Sequence, residues 1–347
     1  MKFNFLSVLK YILFLAAGIL LLWLAFRNQD LGTIYNNIRK AHFGWVALSL
    51  FMSLFAFISR AYRWNMLIRP LGYNPSLRNS LYSLMVGYFA NLAVPRIGEV
   101  SRCAMLGRSE KIPMDVLLGT VIAERVIDVL CLLFFTILLT VLQFETIGHF
   151  LLEKFFFPLE EKLAGNVPLL ILLSTLTLAS LFAAWFFLFR NVKGKTISPV
   201  RAKLKGLVNN LWQGIKTVIK LDNNWAFLAH TIIIWAVYYS VSFICFFSTD
   251  ATSGLGLMEG LYALVVGGIG MSAPVQGGIG TFHFMVSEGL TLYGVPLQDG
   301  LIYATIVHAS QTVFIILTGA ISYFILISVP PASQARAASV QKKNNVA

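Results

Sequence analysis

The stretch Leu81-Tyr82-Ser83-Leu84-Met85-Val86-Gly87 returns 180 residues later as Leu261-Tyr262-Ala263-Leu264-Val265-Val266-Gly267. Without gaps, the correspondence continues to Ala93 over Ala273 and Gly98 over Gly278, and a proline falls at almost the same place in each copy, Pro95 and Pro274. Both apolar runs, 81–94 and 261–273, are too short to cross a hydrocarbon core about 30 Å thick, which needs about 20 residues per helix. Each runs into a Pro/Gly break and then a second short helical piece. Chance likeness is the plain alternative, since Leu, Val and Gly are common in any apolar chain. The shared proline and the glycines after it favour two copies of one broken-helix hairpin, around 81–108 and 261–293.

Composition places these hairpins in a membrane. Of 347 residues, 57% are hydrophobic and only 12% charged, too apolar for a soluble domain of this length. The long runs are continuously apolar, not alternating, which excludes a β-barrel. The net charge of +12 does not indicate nucleic acid, because the Lys and Arg residues cluster in short stretches between apolar runs, where membrane orientation accounts for them. Cys103, Cys131 and Cys245 show no metal or disulfide spacing. No HExxH, P-loop or GxSxG motif is present, so no cofactor, metal, catalytic residue or enzyme activity is expected.

Full spans are expected at 10–27, 43–60, 117–142, 167–189, 226–248 and 298–327. The first follows Lys2 and Lys10 like a signal sequence but lacks a small-residue cleavage pattern, and is expected to stay. Basic stretches at 60–80 and 190–220 should be cytoplasmic, and the more acidic 143–166 and 249–260 outside. Six spans and two re-entrant hairpins satisfy that pattern, apart from a mildly basic outer loop at Arg39 and Lys40. Both termini then lie in the cytoplasm of a bacterial inner (plasma) membrane, with 330–347 as a disordered tail. Three spans separate the hairpins, so they enter from opposite sides as an inverted repeat, a transporter arrangement with its site near the midplane. A basic amphipathic helix at 199–220 either lies on the cytoplasmic leaflet or is an ordinary linker.

Charges within apolar depth cost roughly 2.5 to 3.5 kcal/mol each and are functional candidates by default. The first hairpin carries Asn91, Pro95, Arg96, Glu99 and Arg102, and the next span opens with Glu124, Arg125 and Asp128. Pro95 suits the first position of a restarted helix, whose free N–H groups would face into the membrane. Arg96, Glu99 and Arg102 recur every third residue and could pair along it, leaving Arg96 the most available for an anion such as phosphate. Arg102 or Arg96 is expected to neutralise Glu124 or Asp128, and Arg125 to reach Asp128 at i,i+3. A purely structural ion-pair cluster is an equal alternative. In the second copy Gln276 stands over Arg96, while Gly277, Gly278 and Gly280 allow close approach by a ligand or by a packed helix. His283 and Glu288 are candidates for titration, and His308 reads as a satisfied packing histidine.

Ser59-Arg60-Ala61-Tyr62-Arg63-Trp64, Pro95-Arg96-Ile97-Gly98-Glu99-Val100-Ser101-Arg102, Glu124-Arg125-Val126-Ile127-Asp128 and Pro274-Val275-Gln276-Gly277-Gly278-Ile279-Gly280, in that order and spacing, resemble the lysylphosphatidylglycerol synthase transmembrane (flippase-like) family over roughly 10–327. The resemblance implies a membrane module associated with moving aminoacylated phospholipid between leaflets, with Arg60, Asn91, Arg96, Glu99, Arg102, Glu124, Arg125 and Asp128 as a cytoplasmic-side headgroup cluster. Gln276 to Gly280 would be its outer partner. In larger members a separate cytosolic domain performs aminoacyl transfer. About twenty residues follow the last span here, so only the membrane module is expected. His283 stands near a place where family members tend to carry an acidic residue, which departs from the pattern.

The readings are three: translocation of an anionic or glycan-linked lipid, presentation of lipid to a separate lipid-modifying enzyme, or secondary transport of a small anion. Membrane lipids, above all anionic phospholipid, are the expected partners, and a homo-oligomer is compatible with the sequence.

Overall fold

In a computed structural model, residues 5–146, 221 and 223–328 are described, the side chains from Leu15 onward. All regular structure among them is helical. The expected span 167–189, the amphipathic helix 199–220 and the tail 330–347 lie outside the described residues.

Four helical stretches are long and apolar enough to cross a bilayer: Phe43–Leu71, Met114–Leu142, Asn224–Ser248 and Leu297–Ser328. They contain α3 (Phe43–Ile68), α6 (Met114–Leu142), α7 (Asn224–Ile244) and α10 (Leu297–Ser328), and α1 (Phe5–Phe26) covers the expected first span. The chain is an all-α membrane protein. One boundary is corrected. The span expected to end at Arg60 continues to Ile68, and Arg60 and Arg63 are buried in it, so they are not loop charges. Their carboxylate partners on α6 make the longer helix tolerable at that depth.

Between α1 and α3 the sequence reading placed only a loop. The chain there forms α2 (Leu31–Lys40), capped by Asp30, whose carboxylate accepts from Gly32 N at 2.9 Å. Ile34 and Ile38 turn inward against α10 while Leu31 and Tyr35 stay exposed.

The repeated segments form two helix-break-helix units: α4 (Leu77–Ala93) with α5 (Ile97–Glu110), and α8 (Leu257–Ser272) with α9 (Thr281–Leu290). At 17 and 16 residues, α4 and α8 are about 25 Å long, short of the hydrocarbon thickness. In each unit the second helix packs back on the first, and equivalent glycines make the close approach possible. A Cβ on Gly87 would meet Arg102, and one on Gly267 would meet Phe282; a Cβ on Gly98 would meet Asn91, and one on Gly278 would meet Met271. Each pair differs by 180, the offset read from the sequence. The tips touch: Gly277 faces Leu92 of α4, and α1 closes over the second tip through Gly18 and Gly280.

Capping explains where these helices begin. Ser76 Oγ accepts from Asn79 N at 3.3 Å at the start of α4, and Glu110 gathers Ser76 N and Oγ and Asn79 Nδ2 at 2.7–3.0 Å, fastening the end of α5 to the start of α4. At the second base, Gly256 N donates to the Glu259 carboxylate at 2.9 Å.

Candidate functional site

Arg60 and Arg63 are three apart on α3, and Glu124 and Asp128 four apart on α6, so each pair projects from one helix face. The faces meet. Arg60 Nη2 lies 2.7 Å from both Glu124 Oε1 and Asp128 Oδ2, and Arg63 Nη2 lies 3.3 Å from Glu124 and 2.5 Å from Asp128. Arg102 of α5 adds a third cation, its Nη2 2.9 Å from Glu124 Oε2 and its guanidinium 4.7 Å above the Trp64 ring. Trp64 is itself fixed by donating Nε1–H to Thr120 Oγ1 at 2.9 Å. Glu124, with 0% of its surface exposed, thus receives three arginines from two other helices. Such a set holds together because removing any member would leave an uncompensated buried charge.

A second set lies closer to open space. Arg125 reaches Asp128 and Glu99 at 3.7 Å each. The i,i+3 pair within α6 is as expected. The expected pairing of Glu99 with Arg96 and Arg102 along α5 is not: Glu99 turns to Arg125 and Arg102 to Glu124, since opposite charges on the facing helix come closer than neighbours on the same one. Arg96 joins no carboxylate either. It is exposed and makes no ion pair or hydrogen bond among the described residues.

Pro95 also behaves differently from expectation. It does not open α5; Val94 and Pro95 form the turn, and Arg96, at φ 63°, takes the left-handed conformation that starts the helix at Ile97. A helix begun at Pro95 would continue the direction of the chain, whereas a left-handed residue reverses it and lets α5 fold back on α4. Asn91 completes the reversal by accepting from Gly98 N at 2.7 Å. Its role here is to hold the turn.

A cavity of about 670 Å³ lies where the two tips meet. Arg60, Asn91, Pro95, Arg96, Glu99, Arg125 and Asp128 line one side, and Gly277 and Gly278 the other. Arg102, Glu124, Gln276, Gly280 and Pro274 are not in its wall. Gln276 is buried between the lining residues Val275 and Gly277. The second break, Ala273 to Gly280, holds a 3₁₀ turn at Gln276–Gly278 and is longer than Val94 to Arg96, so Gln276 sits in a turn of different conformation although the glycine contacts on either side keep the 180-residue offset. Gly277, Gly278 and Gly280 have φ of 57°, 77° and 83°, so the turn itself requires them. Gly278 and Gly280 pack against Met271 and Gly18, which favours packing over ligand approach for this loop.

Sequence reasoning left Arg63, Tyr88, Tyr238, His308 and Gln311 outside the candidate set. Tyr238 Oη accepts from Arg60 Nη1 at 2.9 Å, Gln311 Nε2 donates to Ser53 Oγ at 2.9 Å, and His308 Nε2 lies 2.8 Å from Gly277 O. Tyr88, Tyr238, His308 and Gln311 line the cavity. Arg63 was findable, since it shares a helix face with Arg60; the others carry no pattern along the chain. His308 is the packed, hydrogen-bonded histidine expected, against Phe282 and His283.

Part of the chain is similar to the UPF0104 membrane protein MJ1595 of Methanocaldococcus jannaschii, with 30% identity over 114 residues, 32% of either chain. No solved structure matches. Residues 8–319 match the family described as the lysylphosphatidylglycerol synthase TM region, which spans every helix of the buried charge cluster and both hairpins, and the chain belongs to that family.

Proposed function

We propose that this chain passes the headgroup of an anionic lipid between leaflets, through the cavity between the hairpin tips, while the acyl tails stay in surrounding hydrocarbon. The observation that carries this reading is Arg96, a guanidinium without a partner, held by a left-handed backbone at the edge of an intramembrane cavity. Strained residues persist where the surrounding structure over-determines them, commonly at ligand sites. An unpaired arginine at this depth is costly unless an anion visits it. The cluster of Arg60, Arg63, Arg102, Glu124 and Asp128 serves a different purpose in this reading, fastening α3, α5 and α6 around the polar wall.

Positive-inside bias supports the orientation. Arg69, Arg78, Arg108 and Lys111 surround the base of the first hairpin, and Asp250 and Glu259 the base of the second. The first hairpin then enters from the cytoplasm and the second from outside, an inverted pair with both chain ends cytoplasmic in the plasma membrane of a bacterium. Leu92 against Gly277 separates the two halves of the path, and the tips must part for a headgroup to pass. The sequence carries no P-loop, so this reading calls for no direct ATP drive.

The test is reconstitution in liposomes containing fluorescent phosphatidylglycerol, with a membrane-impermeant quencher outside. Active protein raises the quenchable fraction from about half toward all of the label, and Arg96→Ala slows that rise about tenfold or more. Lipid binding without movement would favour presentation to a separate lipid-modifying enzyme instead.

A further inference from the structure

Polar groups in the cavity wall without hydrogen-bond partners among the described residues include Trp235 Nε1, the Nε atoms of Arg60 and Arg125, and three that a polar headgroup can meet. These three are the Arg96 guanidinium, the Oε2 atom of Glu99 and the hydroxyl of Tyr88, the last two shielded from solvent. The remaining carboxylate positions are engaged: Asp128 with Arg60, Arg63 and Arg125, Glu124 with Arg60, Arg63 and Arg102, and Glu99 Oε1 with Arg125. Arg60, Arg63, Arg96, Arg102 and Arg125 therefore stand against Glu99, Glu124 and Asp128, five positive charges against three negative, an excess of two.

We infer that the cavity takes a phosphodiester whose headgroup bears hydroxyls and no amine. The phosphate meets Arg96, one headgroup hydroxyl donates to Glu99 Oε2, and another pairs with Tyr88 Oη. A charged acceptor rewards a hydroxyl donor strongly, and a buried acceptor left empty is penalised. An ammonium in the headgroup would enter surroundings already carrying excess positive charge, where low dielectric strengthens repulsion. This selectivity rests on the lipid reading above and runs against an aminoacylated lipid as cargo.

Purified full-length protein in detergent is mixed with equimolar phosphatidylglycerol, phosphatidylmethanol, phosphatidylethanolamine and lysylphosphatidylglycerol, and retained lipid is read by native mass spectrometry. Phosphatidylglycerol should be retained about tenfold over both amine-bearing lipids and several-fold over phosphatidylmethanol, which has the same charge and no hydroxyl. The double variant Tyr88→Phe/Glu99→Gln should abolish the preference, so that phosphatidylglycerol and phosphatidylmethanol are retained alike, and a melting transition like that of the parent shows that the variant folds. Equal retention of either amine-bearing lipid, or of phosphatidylmethanol by the unmodified protein, overturns the inference. Excess soluble glycerol phosphate identifies the source: bound lipid that stays in place assigns the site to lipid, and its displacement assigns it to a free phosphate ester, against the proposal. Selectivity as expected with no translocation in liposomes would sink the transport reading alone.

Discussion

Arg60 on α3 and Glu124 on α6 lie 2.7 Å apart with both side chains almost wholly buried, and Glu124 is at the same time the partner of Arg63 and Arg102. One carboxylate therefore fastens two spans and a hairpin. Replacing it with Gln removes the charge that three arginines share. Breaking a buried pair on one side costs about 3 to 5 kcal/mol, and Glu124→Gln should lose stability of that order, read as a lowered melting midpoint by tryptophan fluorescence in detergent. A loss under about 1 kcal/mol would mean the arginines are hydrated.

Arg96 should behave in the opposite way. Its guanidinium has no partner to lose, and its φ of 63° suits glycine. Arg96→Gly is expected to stabilise the protein by about 1 kcal/mol while lowering lipid movement, and Arg96→Ala to stay within about 0.5 kcal/mol of the parent. Melting midpoints measured beside liposome activity check both, and a strongly destabilised Arg96→Gly would contradict the geometry of the turn.

The two hairpins pack most tightly at glycines where a Cβ would overlap the facing helix. A Cβ on Gly98 would collide with the carbonyl of Gly87 and the side chain of Asn91, whereas one on Gly119 of α6 would meet nothing within 4 Å. Gly98→Ala should therefore cost more than about 2 kcal/mol through overpacking, and Gly119→Ala should gain up to about 1 kcal/mol from helix propensity. Chemical denaturation of the two variants side by side separates these signs.

Outside the spans, Asp30 caps α2, and hydrogen bonds from the Thr33 hydroxyl and the Gly32 and Thr33 amides hold its carboxyl below the usual value of 3.8. A depressed carboxyl contributes stability that is present above the unfolded value and is lost as pH falls through the folded one. The docking of α2 should consequently be unchanged between about pH 5 and 8 and weaken only below about pH 4. Limited proteolysis near Gly32 across that range checks it, with Asp30→Ala already susceptible at neutral pH.

The fold was legible where physics acts along the chain. Span length and charge exclusion located the described crossing helices, and the 180-residue correspondence located both breaks, because a helix too short to cross must turn at its Pro/Gly break. Legibility failed where partners come from elsewhere. The reading ended the second span at Arg60 because charges normally mark a water boundary, and nothing local reveals that Glu124 and Asp128 neutralise them. The pairing of Glu99 with Arg125 across helices, and the burial of Gln276 in a longer second break, likewise depend on distant contacts. The amphipathic α2 is legible in Ile34 and Ile38, four apart among polar neighbours, but its ten residues are too few for the length rule that marks a span.

The hairpin tips meet at Leu92 and Gly277, and a headgroup can pass only if they part. In a background with the three native cysteines replaced by Ala, Leu92→Cys and Gly277→Cys should cross-link on mild oxidation, since a Cβ on Gly277 would lie 3.9 Å from the Leu92 Cα, and the left-handed φ of 57° costs a cysteine there about 1 to 2 kcal/mol, as a φ of 63° does Arg96 in the first break. The decisive measurement is the rate of fluorescent phosphatidylglycerol movement in the same proteoliposomes before oxidation, after it and after reduction. The account predicts at least about tenfold slowing on cross-linking and recovery on reduction. Undiminished movement through fully cross-linked protein would contradict it.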